Sequence, residues 1–327
     1  MEKFKRSVLK FAILMLAVNG VIFLVKYLLF MDYYKHSEEY NSYLLADSHG
    51  WYLGEKTEEI GIANFSYYSD SYIDTERKLE YLIGNGDVDT IYISADDHTL
   101  SPYREFSNNG YKSVKYEFTQ GNFKFSDYAK YNLQHYVVLF DPNIRAIVSH
   151  FFNEQSKRML GYGNEKREVE DLPWNKLSEE ERVTLSEERL SEQFPKNSGS
   201  SAKLEESLHN IIDLCEENGI TLIGIKFPLA SEYTHLIGER SYGADSILMA
   251  RSVEVYDFRD IFNDKDLYFE DPDHINGNGA DILIDSIKIL NFGKTLSTYE
   301  KSSSFVIYAP LHMERNCPNK NLSNGRI

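Results

Sequence analysis

The chain has 327 residues, enough for one large α/β domain with additions, and its 35 basic residues against 51 acidic ones leave a net charge of −16. Phosphate binding needs a basic patch, and none stands out beyond the first few residues, which excludes nucleic acid as a partner. Two cysteines, Cys215 and Cys317, make neither a disulfide framework nor a zinc cluster.

Lys3, Lys5, Arg6 and Lys10 precede an uncharged apolar run over residues 11–25, extended beyond Lys26 by residues 27–30. Residues 7–31 are long enough to cross a ~30 Å hydrocarbon core with Lys10 and Lys26 reaching the two interfaces. The rival, a cleaved signal peptide, needs a small-x-small site, and bulky residues stand there instead. The expectation is an uncleaved signal anchor over residues 1–31 that meets the membrane through residues 8–30. Its basic end is cytoplasmic and the acidic remainder lies outside. Residues 32–42 read as a tether.

The folded part starts near Tyr43. An apolar run, Leu44-Leu45-Ala46, stops abruptly on Asp47-Ser48-His49-Gly50, as a strand delivering a hydroxyl to the end of a sheet would. Residues 60–65 are a second short buried run. A helix fits residues 72–83, and residues 88–94 form a third strand ending in Ala95-Asp96-Asp97-His98. Strand, helix, strand in that rhythm predicts a parallel sheet, with ligand sites beyond the carboxyl ends of its strands. Residues 114–118 alternate like an edge strand, residues 136–140 read as a buried strand, and residues 143–160 have helical spacing. Residues 161–201 are a charged insertion holding a capping box at Ser178 to Glu181, read either as a lid of surface helices or as a solvated excursion. Beyond it come a helix over 202–218, a strand over 221–228, short helices over 233–237 and up to 250, and a last strand over 253–257. Asp271-Pro272-Asp273-His274 stands directly before a closing helix. Residues 293–327 form a tail with no assigned role.

Ser48, His274 and Asp271 make the minimum set for acyl transfer. A serine hydroxyl is a weak nucleophile at neutral pH, so an imidazole must take its proton and a carboxylate must hold that imidazole in the right tautomer. Each also has a purely structural reading: Ser48 as a helix N-cap, and the Asp271 to His274 loop as a polar helix start. Asp96-Asp97-His98 with Asp271, Asp273 and His274 offers a third alternative, a divalent-cation site for phosphoester chemistry.

Ala46-Asp47-Ser48 early and Asp271-x-x-His274 late resemble the first and last motif blocks of the SGNH/GDSL hydrolase superfamily, over roughly residues 40–292. The resemblance implies a three-layer αβα, flavodoxin-like parallel sheet over residues 43–292, with Ser48 as nucleophile, His274 as base and Asp271 as its orienter. It needs no metal or other cofactor. The superfamily's oxyanion hole adds a glycine after the second strand and an asparagine after the third. Those places hold Ser69 and Asp96 here, with His98 as a replacement donor or Asp96 held protonated. Asp47 would support the serine turn through backbone hydrogen bonds, and His49 and Asp97 would line the pocket. Membrane-tethered members add or remove acetyl groups on envelope polysaccharides. The implied function is therefore an esterase or O-acetyltransferase acting on a glycan or another acylated substrate within envelope polysaccharide machinery. The second expectation is a weak or inactive glycan-binding module. Exposed tyrosines among the 24 present suit sugar rings, although most pack a core.

Overall fold

A run such as Tyr43-Leu44-Leu45, apolar on both faces, is stable only inside a sheet covered on both sides. The computed structural model of the protein describes residues 1–35, 37, 39–119, 123–137 and 172–297. It contains a five-stranded, all-parallel sheet formed by β1 (Ser42–Leu45), β2 (Ala63–Asn64), β3 (Thr90–Ser94), β4 (Thr221–Lys226) and β5 (Glu254–Asp257), in the order β2-β1-β3-β4-β5. The α-helices among the described residues are α1 (Glu2–Phe30), α2 (Ser48–Trp51), α3 (Tyr72–Asn85), α4 (Pro102–Phe106), α5 (Gly110–Thr119), α6 (Phe125–Tyr136), α7 (Glu179–Gln193), α8 (Ala202–Asn218), α9 (Ser231–Ile237), α10 (Ala244–Ala250) and α11 (Gly277–Ser297). The fold class is α/β, compatible with three αβα layers. Residues Met1–Ile287 make one compact unit and Lys288–Ile327 a second.

Register follows burial. Tyr43 and Leu45 pair with Ile91 and Ile93, which pair in turn with Leu222 and Gly224. A β-carbon on Gly224 would stand 2.9 Å from Leu248 of α10, so only glycine lets that helix lie so close to the sheet. On the inner side, Leu79 of α3 and Leu204, Leu208, Ile211 and Ile212 of α8 are fully buried against the sheet. Caps define the helices: the Ser201 hydroxyl accepts the Leu204 N–H at 3.3 Å, and Gly219, in the left-handed region at φ 68°, ends α8.

Residues 114–118 are not a strand. They lie in α5, which packs against α3 through buried Lys112, Ser113 and Tyr116, spaced as one helical face. Asn109 starts that helix, its carbonyl accepting the N–H groups of Lys112 and Ser113. Alternation favoured a strand, and tertiary packing overrode it. Of the strand expected over 136–140, Tyr136 is instead the last residue of α6, and residues 138–140, the helix expected over 143–160, residues 161–171 and the tail beyond 297 lie outside the described residues.

α1 covers the expected span and leaves Leu9, Phe11, Leu16, Val21 and Leu24 more than half exposed. Among the described residues, no helix is long and apolar enough to cross a membrane.

Near the sheet, Lys78 of α3 is fully buried, its ammonium 2.5 Å from Asp70 and 2.7 Å from the Phe65 carbonyl, over the Tyr33 and Phe65 rings. Burial, and to a lesser degree Asp74, pushes the Asp70 carboxyl up to about 6 although Lys78 and Asn109 oppose the shift. A carboxyl raised in the folded state binds protons more readily there than in the unfolded chain, so Asp70 detracts from stability as pH rises through about 6. Lys78→Met leaves that carboxylate buried without its cation. The expected loss is about 3–5 kcal/mol at pH 8 in urea unfolding, and less at pH 5, where Asp70 takes up a proton.

Candidate active site

β1 ends at Leu45, and the chain turns directly into the one-turn helix α2. Asp47 caps it by accepting the His49 N–H at 3.0 Å, which leaves Ser48 as the first helical residue, 9 % exposed. Gly50 is required by close approach: a β-carbon there would meet the Ser66 hydroxyl at 2.5 Å and Ala46 at 2.7 Å. That hydroxyl ties the loop after β2 to β1, accepting the Ala46 N–H at 3.0 Å and donating to the Leu44 carbonyl at 3.2 Å.

The partner loop is equally determined. A bridge between Phe269 and Ile275 and the Glu270 N–H to His274 carbonyl bond pinch residues 269–275 closed. Within the loop, one Asp271 oxygen accepts the N–H groups of Asp273 at 3.0 Å and His274 at 2.9 Å. Asn276 caps α11, and Gly279 lies where a β-carbon would be 2.6 Å from the Tyr268 carbonyl.

The two ends meet at the rim of the sheet. His274 Nε2 is 2.7 Å from Ser48 Oγ, and His274 Nδ1 is 2.7 Å from the second oxygen of Asp271. The Tyr52 ring lies against His274, centroids 4.7 Å apart, and Tyr52 continues to Tyr68 and Trp51, whose rings are 3.9 Å apart at the surface. With its Nδ1 proton directed to Asp271, His274 offers Nε2 as an acceptor for the serine proton.

A second, fully buried imidazole stands behind the first. His49 Nδ1 is 2.7 Å from Asp96 and its Nε2 is 3.3 Å from Asp273. Burial disfavours charge on His49, but Asp47, Asp96 and Asp273 hold its pKa well above the ordinary imidazole value. Burial likewise opposes ionisation of Asp47, yet His49, Arg104 at 3.1 Å and His98 hold it well below the carboxylate range. His98 is driven the other way, down, chiefly by its own burial, and stands 3.5 Å from Asp47. The Asp47 carboxylate thus holds the serine turn through the His49 N–H and is itself held by Arg104.

Asp96 does not stand as an oxyanion donor. One of its oxygens accepts the Phe227 N–H at 2.7 Å, and the other faces Ser94 Oγ at 2.6 Å and His49. His98 is turned to Asp47 rather than toward Ser48. Ser69 has φ 63°, the left-handed backbone that favours glycine, and the loop carrying it is clamped by Arg104 on the Asp70 carbonyl and Asn109 on the Tyr68 carbonyl. Asp97 is buried against Lys226 at 2.6 Å and Arg259 at 3.2 Å, away from the triad.

Two groups, His49 with Asp273 and His274, and Asp47 with His49 and Asp96, are close enough to share a cation. Arg104 already neutralises Asp47 and Arg189 already neutralises Asp273, while Asp96 is occupied by the Phe227 N–H, Ser94 and His49, so neither set fits a divalent ion.

Compared with known proteins, the chain matches no family model and no curated protein.

Residues that sequence reasoning did not single out complete the site. Arg189 and Gln193 of α7 bind Asp273 at 2.8 Å and 2.7 Å, which makes that part of the polar insertion a wall of the site and not a solvated excursion. Arg104 of α4 does the same for Asp47. No local pattern marks these residues, because their partners lie 57 to 84 positions away.

Proposed function

We propose that the chain is an SGNH-like serine acyl esterase or O-acyltransferase with a flavodoxin-like αβα domain, held at a membrane by its N-terminal helix and acting outside the cytoplasm on an acylated envelope glycan. The observation that carries this reading is the unbroken relay from Ser48 Oγ through His274 to Asp271, both links 2.7 Å. In the first half-reaction His274 takes the serine proton as Ser48 Oγ attacks the ester carbonyl. Collapse of the tetrahedral intermediate expels the alcohol, protonated by His274, and leaves an acyl-serine. Water or a sugar hydroxyl then reverses the sequence. The backbone N–H groups of Ser48 and Ser69 are the donors available to the oxyanion, one fewer than in the superfamily pattern, because Asp96 is engaged elsewhere. The exposed apolar side chains of α1 and the basic residues before them support the anchor.

A fluorophosphonate probe tests this. The full chain in detergent is expected to label on one site and to hydrolyse p-nitrophenyl acetate in the presence of chelator, and Ser48→Ala is expected to do neither. A folded wild type that stays unlabelled overturns the reading in favour of a binding module, the alternative that the engaged Asp96 favours. Activity lost on chelation overturns it in favour of a metal site.

A further inference from the structure

Asp271 is not the only carboxylate at His274. Asp273 Oδ1 lies 3.5 Å from the same Nδ1 atom that Asp271 approaches at 2.7 Å. The two differ in setting: the Asp271 side chain is 40 % exposed and that of Asp273 is 2 % exposed. A solvated carboxylate is screened by water and salt, whereas a buried one acts through a medium of low polarity and is felt over a longer distance.

The other oxygen of Asp273 is saturated. Oδ2 receives Arg189 Nε at 2.8 Å, Gln193 Nε2 at 2.7 Å and His49 Nε2 at 3.3 Å. Gln193 is oriented in turn, since its Oε1 accepts the Tyr233 hydroxyl at 2.5 Å and so directs the NH2 group to Asp273. Arg189 and Gln193 are four residues apart, on one face of α7. That face, within a helix whose sequence reads as a solvated acidic stretch, fixes one oxygen of Asp273 and turns the other toward His274.

We propose that Asp273 is a second orienting carboxylate for His274, and that α7 holds it in position through Arg189 and Gln193. The proposal takes His274 as the base of the reaction above and adds positioning residues to it. The charged and titratable groups facing this pair are Asp271, Arg189, His49 with Asp47 and Asp96 behind it, and the hydroxyls of Tyr52 and Tyr233. Burial disfavours ionisation of Asp273, but His274, Arg189 and His49 hold its carboxyl well below the ordinary range, so it carries its charge at neutral pH.

The test reads His274 directly. In the full chain in detergent with 13C-labelled histidine, the His274 resonance is assigned by its loss in His274→Gln and titrated in wild type, Arg189→Gln, Arg189→Lys and Asp273→Asn. Removing the arginine cation is expected to raise the His274 midpoint and removing the carboxylate to lower it, each by roughly half a unit to one unit. Arg189→Lys restores most of the wild-type value. The acid limb of p-nitrophenyl acetate hydrolysis moves with the midpoint, kcat changing and KM not. Asp271→Ala retains a rate at least about tenfold above Asp271→Ala/Asp273→Asn. Shifts of the same sign in Arg189→Gln and Asp273→Asn, or none, overturn the proposal. If Asp273→Asn fails to fold, the Arg189→Gln and Arg189→Lys pair decides alone. Opposed shifts in a protein that takes no label at Ser48 uphold the orienting contact and remove the esterase reading. Label without shifts does the reverse.

Discussion

His274→Ala is expected to lower the rate of acyl-serine formation by about 10⁴ to 10⁶, measured as fluorophosphonate labelling or p-nitrophenyl acetate turnover, with little change in stability. The imidazole is the acceptor within reach of Ser48 Oγ, so without it the hydroxyl must ionise unaided. Ser48→Ala gives a loss of similar size. The double variant is expected to be no slower than either single one, because nucleophile and base act as one unit. A double variant slower by the product of the two losses sinks the relay and requires two independent contributions.

The second large effect is at Asp96. If the carboxylate were a poor substitute for an oxyanion-hole asparagine, Asp96→Asn would raise activity. The geometry requires the opposite. An amide has one acceptor oxygen, whereas Asp96 serves the Phe227 N–H with one oxygen and Ser94 and His49 with the other. Asp96→Asn therefore sets an NH2 group against a donor in the buried interior. The expected loss is about 2–4 kcal/mol in urea unfolding at pH 6, with no gain in labelling rate. The raised pKa of His49 fixes the sign of the pH dependence: its charged form stabilises the fold fully below the ordinary imidazole pKa, and this contribution fades as pH rises through the folded value. The deficit of Asp96→Asn is accordingly larger at pH 6 than in alkaline solution. A variant that gains activity without losing stability refutes the assignment.

Much of the framework was legible in the chain. The helix over 202–218 matches α8 residue for residue because Ser201 and Gly219 are strong local stops, and the five strands fall within or beside the expected apolar runs. Ser48, Asp271 and His274 were legible because strand end, turn glycine and closing helix give each a recognisable local setting. The error at 114–118 is physical. Val114-Lys115-Tyr116-Glu117-Phe118 satisfies a two-residue period, and only the burial of Tyr116 against α3 selects the helical one. Asp273 was legible only as a possible cation ligand, and Arg189, Gln193 and Arg104 were not legible as site residues, because a buried ion pair between distant segments leaves no mark on either segment's own pattern. Asp96 was singled out, but its partners were not legible, since Phe227 and His49 come from other strands' ends.

The hydroxyl of Ser48 belongs to the first strand-turn unit of the sheet, and the imidazole it faces is 226 residues later, just before α11. On the proposed reading, Ser48 therefore has no base within reach until the segment carrying His274 has been synthesised and has docked beside it.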